Sequence, residues 1–131
     1  MAKPILIIRI LAIVVAASAC LQGGTAARAD NYPISGRWGV TASTEKGPID
    51  CGPLRVITFN GNQRADSGGG VPNYRNRSVR KIGSSEFRIV DIFSTGQISN
   101  AQAFLTLKLI EADRAEMNLQ PGGVLKLRKC K

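Results

Sequence analysis

The segment Ala101-Gln102-Ala103-Phe104-Leu105-Thr106-Leu107-Lys108-Leu109-Ile110-Glu111-Ala112 decides the fold. Its alanines, leucines, Gln102, Lys108 and Glu111 are good helix formers, and propensity alone would carry a helix on to Met117. The apolar side chains recur at Ala101, Ala103, Leu105, Leu107 and Leu109. Spaced two apart, the three leucines would scatter around a helix, whereas on a strand they fall in line on one face. The spacing therefore predicts a strand.

The same period of two continues in both directions. Upstream, Trp38, Val40 and Ala42 alternate after Gly36. Leu54 to Phe59 reads as a strand ended by Asn60-Gly61-Asn62. A loose stretch from Ala65 to Asn73, centred on Gly68-Gly69-Gly70, precedes a polar strand over 74–81 and a strong one over 86–93. Downstream, Ala112-Asp113 turns into Ala115, Met117 and Leu119. Pro121-Gly122-Gly123 is a hairpin turn into Val124 to Cys130, where Leu125 and Leu127 alternate with Lys126 and Arg128. The expectation is an all-β domain, an antiparallel meander of about seven strands. Closing it fully or partly into a barrel removes exposed edges; a two-sheet sandwich is the alternative.

The N-terminus reads differently. Lys3 and Arg9 precede an uncharged apolar run, Ile10 to Ala19, and Ala27-Arg28-Ala29 offers a small-x-small cleavage site. This is the pattern of a cleavable signal peptide over 1–29. A membrane-spanning helix needs about 20 apolar residues, twice this run, so no transmembrane span is expected. Ala17-Ser18-Ala19-Cys20 resembles a bacterial lipobox and makes Cys20 a candidate for lipidation; cleavage after Ala29 is the preferred reading. The expected location is periplasmic or secreted, with 30–131 as a single domain.

Removing 1–29 takes one of three cysteines, leaving Cys51 and Cys130 to form a disulfide. It also takes Lys3, Arg9 and Arg28 from 18 basic residues, so 15 oppose 9 acidic ones, a net charge of +6. That balance favours anionic partners; export makes nucleic acid an unexpected one.

The chain contains no histidine, which excludes Ser-His-Asp and Cys-His hydrolysis and histidine-ligated zinc. Gly68-Gly69-Gly70 lacks the Gly-Lys-Ser/Thr of a phosphate loop. The loop 60–66 offers one carboxylate where calcium wants several. No metal, cofactor or catalytic residue is expected, and the chain is read as a non-enzyme. A carboxylate-only glycosidase would still be chemically open. Asp91 is its most unusual acid, because it shares a strand face with Phe87, Ile89 and Phe93. Burial would raise its pKa unless an arginine or hydrogen bonds held the anion. The reading adopted is that Val90 and Ile92 face inward, or that Asp91 sits at a wet barrel mouth.

The basic stretch Tyr74-Arg75-Asn76-Arg77-Ser78-Val79-Arg80-Lys81 stands out more. On a regular strand Arg75 and Arg77 share a face with Val79, and Tyr74 and Arg80 take the other. Arg75, Arg77, Arg80 and Lys81 are the candidate anion-binding residues. The alternative is a solvated edge strand whose charges block aggregation. Asn76-Arg77-Ser78 is also a glycosylation triplet.

Ile34-Ser35-Gly36-Arg37-Trp38 places a Gly-x-Trp at the start of the first strand of a small exported meander. That resembles the calycin group: lipocalins, avidin-like proteins and the small periplasmic inhibitors of metalloproteases. The resemblance implies that Trp38 plugs the closed barrel end and that Arg128, from the last strand, stacks over it. In the inhibitors an N-terminal trunk enters the protease cleft, and here its counterpart is 30–35. The expected function is thus an exported binding module that engages an anionic protein or envelope component through an arginine-rich rim. The alternative is a periplasmic protease inhibitor acting through its N-terminal segment.

Overall fold

The structure is a computed structural model and describes residues 31–131. The expected signal segment 1–29, Cys20 and Asp30 lie outside the described residues. The chain forms β1 (Gly36–Val40), β2 (Val56–Asn60), β3 (Gln63–Asp66), β4 (Asn73–Lys81), β5 (Glu86–Phe93), β6 (Ala101–Glu111), β7 (Arg114–Gln120) and β8 (Gly123–Lys129). Each strand pairs antiparallel with the next, and β8 returns to β1 to close a barrel. The leucine-rich segment is the longest strand, and closure removes the sandwich alternative.

There are eight strands rather than seven. The additional one is β3, inside the stretch expected to be loose. Its inward residues are Arg64 and Asp66, both buried, so charge stands where a period-two reading looks for apolar side chains. Elsewhere the inward phase is apolar. Ile57, Phe59, Ile89, Leu105, Leu107, Met117 and Leu127 fill the barrel, each fully buried. Such a side chain contributes roughly 1.5–3 kcal/mol through the surface it removes from water. Trp38 packs into the same core, and its indole N–H donates to the Ser35 carbonyl at 2.9 Å.

The long β1–β2 connection folds back over the outside of the barrel. Cys51 and Cys130 form a disulfide across 79 residues of sequence, and Ile49 bridges Cys130. Gly39 lies beneath the bridge: a Cβ there would come within 2.7 Å of Cys51 Sγ, so only glycine lets the loop approach. Arg128 pairs in register with Gly39, not with Trp38, and so projects to the outer face. Its guanidinium donates to the carbonyls of Ser43 and Gly47, both at 2.9 Å. The expected stack of Arg128 over Trp38 is therefore not what Arg128 does: it clamps the connection, while Trp38 points into the core.

Candidate functional site

Asp91 corrects the sequence reading. It is fully buried and projects into the barrel with Ile89, while Val90 and Ile92 take the other face. Three side chains hold its carboxylate: Tyr32 Oη donates at 2.7 Å, Arg64 Nε at 2.9 Å and Asn76 Nδ2 at 3.1 Å. An arginine and hydrogen bonds supply what a buried anion requires. The pair has no exposed face, since Arg64 and Asp91 are 2% and 0% accessible. A carboxylate so enclosed has no route to a glycoside. Asn76 is equally sequestered, which removes the glycosylation triplet from the surface.

Tyr32 closes this cluster. Its ring packs edge-on against Phe59 at 5.1 Å, and its backbone N–H donates to the Gly61 carbonyl at 3.0 Å. Burial raises the phenol well above its ordinary pKa, and the Asp91 charge and hydrogen bond add to the rise, with Arg64 partly opposing it. The segment 31–35 thus inserts its one aromatic into the barrel.

The basic strand is not an edge, because β4 bonds to β3 on one side and β5 on the other. Blocking edge aggregation is therefore not its role. Nor is it regular: the register shifts between Asn76 and Ser78, which makes Arg77 the extra residue of a bulge. Beyond the bulge the phase flips. Val79 packs against the core with the inward residues, and Arg80 joins Arg75 outside, so the expected pairing of faces is corrected. Arg75, Arg77 and Arg80 share the outer wall, and Lys81 is exposed at the strand end.

Arg80 faces Arg88 of β5 directly across the ladder, a partner the sequence reading missed. Among the described residues none of Arg75, Arg77, Arg80 and Arg88 forms an ion pair. The tier continues from Arg88 through Thr106 and Asn118 to Val124, with no acid. A second tier, Glu86, Lys108, Glu116 and Lys126, alternates in sign across four strands.

Beside the arginines lies a groove of about 600 Å³ lined by residues of β2, β3, β4 and β5 and the loop after β5. Asn60, Gln63, Arg75 and Ile92 form one outer tier across four strands, and Thr58, Ala65 and Asn73 form the next. Short side chains at Thr58 and Ala65 leave the depression. Ser94 and Asn100, at the ends of the β5–β6 loop, complete one side.

Arg55 and Asp66 make a second ion pair. Arg55 Nε donates at 2.8 Å and Nη2 at 2.6 Å to the two carboxylate oxygens, and Gly68 N–H adds a third bond at 3.0 Å. Burial pushes the Asp66 carboxyl up, but these bonds and the charges of Arg55 and Arg64 outweigh it and hold the pKa below its ordinary value.

These features define the class: a closed, eight-stranded antiparallel barrel, consistent with a calycin-like form, disulfide-bonded and therefore suited to an environment outside the cytoplasm. No family model matches the chain, and no curated protein or solved structure matches it significantly. Among the described residues no helix is long and apolar enough to cross a membrane, and no His, Cys, Asp and Glu cluster could hold a metal.

Proposed function

We propose that this protein is a non-enzymatic, exported binding module that engages an anionic partner, an acidic protein or a phosphorylated envelope component, through the arginines of β4 and β5. The Gly36-Arg37-Trp38 start of the first strand supports kinship with the exported calycins. The observation that carries the reading is the direct opposition of Arg80 and Arg88. Like charges facing each other across a ladder destabilise it, by roughly 0.2–1 kcal/mol. The alternating Glu86–Lys108–Glu116–Lys126 tier has no such conflict. A bound carboxylate or phosphate would relieve the repulsion, and guanidinium forks are shaped to hold it in bidentate fashion.

The test is binding of the protein to vesicles of phosphatidylglycerol and phosphatidylcholine across a salt series. Replacing Arg75, Arg77, Arg80 and Arg88 by glutamine should flatten the salt dependence. Replacing Lys108, Arg114, Lys126 and Lys129 removes the same charge elsewhere and should not. Equal effects of the two sets would show that net charge alone acts and would overturn the assignment.

A further inference from the structure

We infer that the groove beside the arginine wall is a site for a short acidic saccharide, whose carboxylate meets Arg75 and whose hydroxyls meet the surrounding amides. This deepens the anionic-partner reading and rests on it at Arg75, the residue common to wall and groove. At about 600 Å³ the groove has the size of a small-molecule site, within the usual range of roughly 300–1,000 Å³.

Its chemistry selects the ligand. Asn60, Gln63, Asn73 and Asn100 present four side-chain amides to it, with Thr58 and Ser94 adding hydroxyls. Among the described residues none of the four amides bonds to another protein group, and neither does the Arg75 guanidinium. Each amide offers a donor beside an acceptor, the complement of two neighbouring sugar hydroxyls. No lining residue is acidic, so an anionic ligand meets no repulsion. Arg75 supplies one planar fork, which matches a carboxylate.

Two other ligand classes fit less well. A peptide adding as a strand needs an unpaired edge, and β2 to β5 are hydrogen-bonded on both sides. A metal ion held by the protein would want carboxylate neighbours, and the lining has none. The lip of the groove also keeps an amide where backbone geometry would prefer glycine: Asn100 sits at φ 53°, a left-handed conformation that asparagine tolerates better than most residues. Ile92, on the outer tier beside Arg75, gives the lining an apolar part for the C–H face of a pyranose.

The experiment is amide chemical-shift mapping on the purified protein with trigalacturonate, a hyaluronan tetrasaccharide, neutral maltotriose and inorganic phosphate. At least one acidic saccharide should move the signals of Gln63, Ala65, Asn73, Arg75 and Asn100, and bind about tenfold or more tighter than maltotriose, as expected of a charge-assisted contact. Arg75→Gln should erase that preference. Ala65→Phe, which fills the floor without changing charge, should abolish saccharide shifts, and retained thermal stability would show that the barrel persists. Groove signals unmoved by either acidic saccharide would overturn the inference. So would binding equally weakened by Arg80→Gln and Arg88→Gln, or phosphate displacing the saccharide at similar concentration. Vesicle binding that still depends on Arg80 and Arg88 would then leave the anionic-partner reading standing. Saccharide binding without arginine-dependent vesicle binding would have the reverse meaning.

Discussion

Replacing Arg64 by methionine should destabilise the barrel severely, and for an electrostatic reason more than a packing one. Methionine conserves most of the volume, so little cavity is created. What is lost is the cationic partner of Asp91, at 2.9 Å and out of contact with water. Breaking a buried pair from one side costs about 3–5 kcal/mol. Tyr32 and Asn76 still donate to the carboxylate, which places Arg64→Met near the lower end. Asp91→Leu should be worse. It leaves the guanidinium of Arg64 buried with the face of Tyr74, 3.8 Å from the ring centroid, the Tyr32 hydroxyl and the Asp66 charge as weaker substitutes. For a domain of this size 3 kcal/mol corresponds to a fall in Tm of roughly 12–24 °C. The double variant Arg64→Met/Asp91→Leu removes both charges and strands only the neutral donors of Tyr32 and Asn76. It should therefore be more stable than the sum of the single losses by at least about 2 kcal/mol. Urea unfolding followed by circular dichroism, with the disulfide intact, measures all four corners of the cycle. Additivity within about 0.5 kcal/mol, or a loss below about 1 kcal/mol for both single variants, would refute the claim that this pair organises the interior.

Tyr32 should give an alkaline signature. Its folded pKa is raised above the ordinary 10.0, so its contribution is present below pH 10 and is lost as pH rises towards the folded value. Tyr32→Phe should cost about 1–3 kcal/mol near neutrality yet lose less stability above pH 10 than the parent; parallel curves would refute it. Asp66 should act in the opposite range. Its folded pKa lies below the ordinary 3.8, so its contribution is present above that value and disappears as pH falls through the folded pKa. In Asp66→Asn the acid-side fall should be shallower, and an unchanged fall would assign acid sensitivity elsewhere. Removing the bridge by Cys51→Ala/Cys130→Ala releases a span of 79 residues, worth about 4.5 kcal/mol by chain entropy. Unfolding free energies from denaturant titration that differ by less than about 1 kcal/mol would show that the Arg128 clamp holds the connection alone.

The strands legible in the sequence are those whose inward residues are apolar. The alternation predicts a strand over 86–93, and β5 spans Glu86–Phe93; β6, β7 and β8 likewise follow the alternation of leucine, alanine and methionine. β3 was missed because Arg64 and Asp66 occupy its inward positions. Each is stabilised by a partner on another element, Asp91 of β5 and Arg55 of the β1–β2 connection respectively. Hydrophobic periodicity cannot register an ion pair whose members lie on different elements. A signal was present nonetheless. Asp91 stands in phase with Phe87, Ile89 and Phe93, and an acid in an apolar phase implies a base in the apolar phase of another strand. The bulge at Arg77 was equally hidden, since one extra residue leaves composition untouched while flipping everything after it. Tyr32 belongs to no strand, so no period announces it.

The filling of the interior bears on where function can lie. A barrel can hold a ligand inside only if its inward side chains leave room. Here Ile57, Phe59, Ile89, Leu105, Leu107, Met117 and Leu127 are packed together, and the remaining inward space is taken by the Tyr32–Arg64–Asn76–Asp91 cluster. The packed interior leaves the proposed recognition to the outer wall, and that wall is not uniform. Across β5 to β8, one tier opposes each lysine to a glutamate, so its field cancels at short range. Across β4 and β5 arginine opposes arginine, and the field adds. A net charge of only +6 for 30–131, from 15 basic against 9 acidic residues, is thus spread unevenly over the surface. On the β4–β5 side Arg75, Arg77, Arg80 and Arg88 carry no ion pair among the described residues, so an anion approaching there is attracted, beside a groove whose amides bond to no other protein group.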